Sequence, residues 1–142
     1  MGIDRNSNII ISDYAHHPSE IKTLMKITQL KYPDKKIILI FQAHQHSRTR
    51  LLLKEFLDFF RNINFLILLP IYRQRDSEED CKTMSSEIFY NKVKEVNGNT
   101  KFFDDLNSLY AFLLSVRSEI ILFTGAGTID NIAKEYLNKS KS

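Results

Sequence analysis

A single cysteine, Cys81, in 142 residues excludes an internal disulfide framework and a cysteine-rich zinc site, and a reducing cytoplasm is the expected setting. Cys81 itself lies in a polar stretch and reads as an incidental loop thiol. Long apolar runs are missing too. None approaches the roughly 18 residues that a bilayer crossing needs, and the N-terminus has no basic-then-apolar leader, so no membrane association is expected. Charge of one sign is equally scarce: 20 basic and 17 acidic side chains leave +3, dispersed along the chain and too mild to imply nucleic acid. The four glycines, Gly2, Gly98, Gly125 and Gly127, nowhere form G-x-x-x-x-G-K-[ST], so a phosphate-cradling loop for ATP would have to lie elsewhere.

What the chain does have, at 43% hydrophobic residues, is enough apolar material for one well-filled core, and residues 1–142 read as a single domain. Five short apolar runs predict strands at Ile9 to Ser12, Lys36 to Phe41, Phe65 to Leu69, Lys101 to Phe103 and Glu119 to Phe123. Runs such as IILIF and FLILL do not alternate, as expected of strands covered on both faces. Between them, Ile21, Leu24, Met25 and Thr28, and then Leu53, Phe56, Leu57 and Phe60, repeat at helical spacing. Further helices are predicted over Met84 to Val93, Leu106 to Val116 and Asp130 to Leu137. RQRDSEED, Arg73 to Asp80, reads as a loop and the NKSKS tail as frayed. Strands alternating with helices give an α/β fold, a Rossmann-like doubly wound and mostly parallel sheet.

Ligands of such sheets bind beyond the carboxyl ends of the strands, and three loops there carry unusual chemistry. In SDYAHHPSE, Pro18 suits the first helical position and Glu20 the first turn, so helix initiation explains the second half. It does not explain Asp13, Tyr14 and His16. An Asp there can accept from a ribose and a His can donate to a carboxylate or phosphate, while both are also ordinary turn residues. In QAHQHSRTR, Ser47 or Thr49 would serve as a plain N-cap, whereas Arg48 and Arg50 oppose the helix dipole unless an anion binds or salt screens them. A metal site on His16, His17, His44 and His46 lacks a carboxylate or cysteine to complete any familiar ligand spacing, and no metal site is expected. In TGAGTID, Gly125 and Gly127 either offer amides to an anion or satisfy a tight turn at positive φ.

In this order, DYAHHPSEI, FQAHQHSRTR and TGAGTIDNIA, with LLPIY between them, resemble the C-terminal domain of the Mur ligases over nearly the whole chain. The paired histidines before Pro18 resemble the L-alanine-adding member, which acts on UDP-N-acetylmuramate, more than its later-acting relatives, and Ser47-Arg48-Thr49 sets the resemblance apart from the murein peptide ligases. The resemblance implies ATP-dependent amide bond formation in peptidoglycan precursor synthesis. This is a cytoplasmic ligase activity serving cell wall biogenesis, cell shape and division, in which Mg2+ and ATP activate the muramyl carboxylate as an acyl phosphate. It also implies N-terminal UDP-sugar-binding and central ATP-binding domains, absent from residues 1–142, that hold most of the ATP and Mg2+, so this domain is expected to be inactive alone. Its partners would be UDP-N-acetylmuramate, L-alanine, ATP and those two domains. By match to the motifs, Asp13 and Tyr14 would contact the nucleotide, and His16, His44 and Arg48 would form the catalytic set at the alanine carboxylate or reacting phosphate. His46, Arg50, Gly125 and Gly127 would line the substrate. The family usually has Asp in place of Ser12, and Pro, Arg and Tyr in place of Ala43, Gln45 and His46. These departures leave open a stand-alone, non-catalytic nucleotide- or peptide-binding module, or a murein peptide ligase relative.

Overall fold

Two strands at the middle of the sheet, β3 (Ile37–Gln42) and β6 (Ile120–Gly125), are buried at every position. Their side chains alternate between two cores. Ile37, Leu39, Phe41, Ile120 and Leu122 face one, and Ile38, Ile40, Ile121 and Phe123 face the other. This two-sided burial accounts for apolar runs without alternation. The computed structural model describes residues 1–141. The chain order is β1 (Gly2–Ile3), β2 (Ile9–Asp13), α1 (Pro18–Lys31), β3, α2 (His46–Leu51), α3 (Leu53–Phe60), β4 (Leu66–Leu68), α4 (Glu78–Thr83), α5 (Ser86–Val96), β5 (Lys101–Phe102), α6 (Leu106–Leu113), β6 and α7 (Ile129–Ser140).

The six strands form one sheet in the order β1-β2-β6-β3-β4-β5, parallel throughout except for the β1–β2 pair. The α/β class and mostly parallel sheet agree with the sequence. Packed on the first face are Ile21 of α1, Phe56 and Phe60 of α3 and Phe89 and Val93 of α5, with ring centroids 5.2 Å apart for Phe41–Phe56 and 5.5 Å for Phe41–Phe60. Aromatic pairs at that spacing contribute about 0.5–1.5 kcal/mol each beyond their burial. The second face is covered by Leu109 and Leu113 of α6 and by Ile132, Ala133 and Tyr136 of α7.

Several boundaries differ from the sequence-based expectation. A sixth strand, β1, escapes any periodicity because it has two residues; a buried network holds it. Asp4 accepts from the Asn8 amide at 2.9 Å and from the Tyr136 hydroxyl at 2.7 Å, tying the β1–β2 hairpin to α7. The polar run 73–80 ends in a helix, α4, whose Ser77 hydroxyl accepts from the Asp80 amide while the Asp80 carboxylate accepts from the Ser77 amide. Cys81 is therefore helical and half-buried. Met84 closes α4 and does not open α5, α6 stops at Leu113, and α7 runs through the supposedly frayed tail to a buried Ser140. Ser142, the last residue of that tail, lies outside the described residues.

Candidate functional site

The parallel strands β2, β3, β4 and β6 end together, and their loops gather at one edge of the sheet. After β2, the Asp13 carboxylate turns back to accept from the Ala15 amide at 2.8 Å. Tyr14 beyond it is 66% exposed. The His16 Nδ1 lies 3.0 Å from the Tyr14 carbonyl. His17 is the N-cap of α1: its Nδ1 accepts from the Ser19 amide, Pro18 follows, and Glu20 accepts from the His17 amide at 3.0 Å. That capping box assigns His17 to helix initiation, as the Pro18-Glu20 spacing predicts, and the bonds to the His17 and His16 amides outweigh burial to lower the Glu20 pKa.

The second loop is fastened to the third. An isolated bridge pairs His44 with Tyr72, the Tyr72 amide donates to the Ala43 carbonyl, and the Gln45 amide donates to the Tyr72 carbonyl, both at 2.8 Å. The His44 ring stacks on Tyr72 with centroids 5.6 Å apart and planes 12° from parallel, and it lies 6.3 Å from the His16 ring. His44 Nε2 is bonded to the Gln74 side-chain oxygen, while Nδ1 is buried with no hydrogen-bond partner. Gln45 takes φ 72°, a conformation most side chains avoid, immediately before α2.

No side chain of its own caps α2. Asp76, from the loop after β4, supplies the carboxylate instead: it accepts from the amides of His46 at 2.8 Å, Ser47 at 3.0 Å and Gln74 at 3.4 Å. Burial would raise the Asp76 pKa, but these bonds outweigh it and hold the carboxyl below the usual range. Ser47 and Thr49 are thus not the N-cap; the Thr49 hydroxyl donates to the Gln45 carbonyl at 2.7 Å. The negative charge at this helix start thus comes from the protein itself.

The structure gathers some of the predicted residues and disperses others. His16 and His44 come together, and Arg48 stands exposed one turn into α2. Arg50 is also exposed, but two positions on, so it leaves α2 in a different direction. Neither arginine forms an ion pair with a described carboxylate. His46 is withdrawn from the cleft: it is 8% exposed and its Nδ1 lies 2.6 Å from the Met84 carbonyl. Gly125 has φ 145°, and a Cβ there would meet the Gln42 carbonyl oxygen at 2.5 Å. A Cβ on Gly127 would meet the Tyr72 ring carbon Cγ at 2.6 Å, and the Thr128 amide donates to the Gln42 side chain at 2.9 Å. Close packing therefore accounts for both glycines. Tyr72, Gln74 and Asp76 had no assigned role in the sequence. LLPIY marked the place of Tyr72, but nothing local to RQRDSEED reveals a partner thirty residues away.

A model of the Mur ligase C-terminal domain, described as "Mur ligase, glutamate ligase domain", matches residues 2–127. The chain belongs to that family. The UDP-N-acetylmuramate–L-alanine ligase of Hydrogenobaculum sp. is 36% identical over 138 residues, covering 94% of this chain and 29% of that protein. The corresponding ligase of Clostridium kluyveri is 35% identical over 137 residues, 95% of this chain and 29% of its own length. The chain thus spans less than a third of the curated relatives it matches. The crystal structure of the Thermotoga maritima UDP-N-acetylmuramate–alanine ligase superposes with a TM-score of 0.71 at 22% identity, over 97% of this chain and 28% of that one, and bears on the fold alone.

Within this Mur ligase domain the departures from the family pattern have local consequences. The Ser12 hydroxyl donates to Asp130 at 2.9 Å, and Asp130 pairs with Lys134 at 2.9 Å, so an acid at position 12 would face another acid. Gln45, in the place of an arginine, donates to the Gln74 carbonyl at 3.0 Å and so braces the loop. Among the described residues no group of three or more His, Cys, Asp or Glu is arranged to hold a metal ion, and no helix is long and apolar enough to cross a membrane.

Proposed function

We propose that this chain is the C-terminal domain of a cytoplasmic UDP-N-acetylmuramate–L-alanine ligase, which forms the first amide bond of the peptidoglycan stem, and that it acts only together with N-terminal and central domains. The reading rests on one juxtaposition. His16 and His44, from loops nearly thirty residues apart, meet at the carboxyl edge with ring centroids 6.3 Å apart, and Arg48 stands exposed in the first turn of the helix that follows His44, in a chain 36% identical to such a ligase. The His16 ring has Glu20 3.8 Å away, whereas Arg48 forms no ion pair with a described carboxylate, and a guanidinium so placed suits a carboxylate or phosphate.

Mg-ATP would supply the phosphoryl group that activates the muramyl carboxylate. The other two domains would hold that metal. Its own residues would position substrates. Asp13 and Tyr14 would meet the nucleotide, Arg48 would take the alanine carboxylate as a forked donor, and His16 and His44 would border the reacting centre. Arg50 would add positive charge at the rim. His46, buried against the Met84 carbonyl, would support the loop, and the glycines at 125 and 127, whose packing leaves no room for a side chain, would offer backbone amides at the substrate edge. Holding an amine against an activated carboxyl is largely positional catalysis, so a domain that closes over the other two is useful.

The test is alanine-dependent phosphate release by the full-length ligase that carries this domain. Arg48→Ala is expected to reduce kcat/KM for alanine by about a hundredfold, the scale of a lost charged hydrogen bond of roughly 3 kcal/mol, while the KM for ATP stays close to wild type. Unchanged turnover and alanine KM would refute Arg48's role. A reading frame without a phosphate-binding loop upstream of this domain would refute the ligase assignment and favour a stand-alone binding module.

A further inference from the structure

At the opposite end of the sheet, where β3, β4 and β5 begin, a groove of about 970 Å³ runs between α5 and the strand starts. Nothing in the ligase reading uses it. Phe65, Tyr90, Phe102 and Phe103 form its apolar wall, with the Tyr90 and Phe102 rings edge to face at 5.5 Å. Phe65 is 42% exposed, which leaves part of its ring open to the groove.

Three lysines border the same groove, Lys36, Lys94 and Lys101, and no lining residue is acidic. None of the three is in an ion pair with a described carboxylate; Lys36 lies 5.5 Å from the Phe65 ring, Lys94 donates to the Tyr90 hydroxyl at 3.1 Å, and Lys101 lies 5.4 Å from Phe112, outside the groove. The Glu119 carboxylate accepts from the Lys36 backbone amide at 2.7 Å at one edge, but three cations against that single acid leave the concavity positive, and a bound anion would relieve their repulsion. Thr100 also lines the groove, 3% exposed and with its buried hydroxyl unbonded among the described residues, and such a hydroxyl is rare. The side-chain amides of Asn64 and Asn99 add donors and acceptors at the rim.

We propose that this groove is a second ligand site, remote from the carboxyl-edge loops, that takes a small polyanion carrying a flat ring, of which a nucleoside diphosphate is the ordinary cellular form. The rings supply stacking faces, the lysines meet the phosphates, and the volume lies within the range of small-molecule sites. The inference does not depend on the ligase reading, since it needs only this chain.

Amide NMR of the 142-residue chain, titrated with ADP, pyrophosphate and adenosine, tests it. Saturable shifts at Tyr90, Asn99, Thr100 and Lys101 with ADP are expected, with pyrophosphate and adenosine each at least about tenfold weaker because each lacks half of the recognition. The triple variant Lys36→Ala, Lys94→Ala, Lys101→Ala, all exposed positions, should weaken ADP by at least about tenfold and leave the fold intact. Phe65→Ala should weaken ADP while leaving pyrophosphate unchanged. Any of three results overturns the proposal: no shift in these residues at millimolar ADP, equal binding of ADP and pyrophosphate, or wild-type affinity in the triple variant. Shifts confined to the His16–Arg48 loops would likewise place the nucleotide elsewhere.

Discussion

Removing the Asp76 carboxylate should loosen the start of α2 and, with it, the platform that presents Arg48. This helix has no acid in its first turn, carries Arg48 there, and draws its cap from Asp76 through the His46 and Ser47 amides at 2.8 and 3.0 Å, while the Gln74 amide at 3.4 Å steadies the carboxylate from its own loop. A lost helix cap costs about 0.5–2 kcal/mol, and a hydrogen bond to a charged group about 1.5–3. Although Asp76 is only 8% exposed, it lies just beneath the surface, and solvent entering the vacated space limits the loss for Asp76→Ala to roughly 2 kcal/mol. At this chain length that is a fall in Tm of roughly 5–10 °C. Asp76→Asn, which keeps one acceptor oxygen and loses the charge, should fall about half as far. Because the folded pKa is lowered, the stabilisation is fully present above the ordinary value of 3.8 and disappears as pH falls through the lowered folded value. The gap between wild type and Asp76→Asn should therefore be flat from neutrality down to about pH 5 and close below 3.8. Hydrogen exchange gives the local readout: the His46 and Ser47 amides should exchange about thirtyfold faster in Asp76→Ala, the equivalent of 2 kcal/mol. If their exchange is unchanged while Tm falls, the carboxylate stabilises something other than this helix start.

Other parts of the fold yield further expectations. Tyr136→Phe should destabilise by about 1.5–3 kcal/mol in urea unfolding, because Asp4 loses a hydroxyl donor at 2.7 Å in a buried setting; a loss under 0.5 kcal/mol would deny the β1–α7 tie. Burial, then Asp4, push the Tyr136 hydroxyl upward, so wild-type stability should also decline as pH rises past the ordinary tyrosine value of 10. Gly127→Ala forces the Tyr72 ring aside and should cost about 1–3 kcal/mol, and in a double-mutant cycle with Tyr72→Ala the coupling should recover most of it. Ser12→Asp places a second carboxylate against Asp130; repulsion raises their pKa values, so the variant should be least stable at neutral pH and recover on acidification, and a Tm deficit independent of pH would contradict the geometry.

The sequence revealed those parts of the fold whose causes are local. Strands such as IILIF announced themselves because both faces are covered, and α1 because Pro18 and Glu20 are adjacent initiation signals. A signal for α4 was present as well, in the Ser77–Asp80 capping box, but the surrounding charges masked it. At the candidate site, His16, His44 and Arg48 could be singled out only through the match of their motifs to the Mur ligases, whereas the roles of Tyr72, Gln74 and Asp76 could not be read at all. Those roles arise from the bridge that lays the second loop along the third, a contact between segments thirty positions apart that no local pattern encodes. For the same reason His46 looked like a ligand and is a buried strut.

The contact between Gly127 and the Tyr72 ring, with His44 stacked on that same ring, also limits how this domain can evolve. Three loops that are far apart in the chain share one aromatic plate, so none can change size independently. Descendants that lose the ring at 72 should be the ones in which position 127 is free to leave glycine and position 44 to leave histidine, and the substitutions should appear together. Any redesign of amino-acid preference through the histidine loop would have to treat these three positions as a single unit of change.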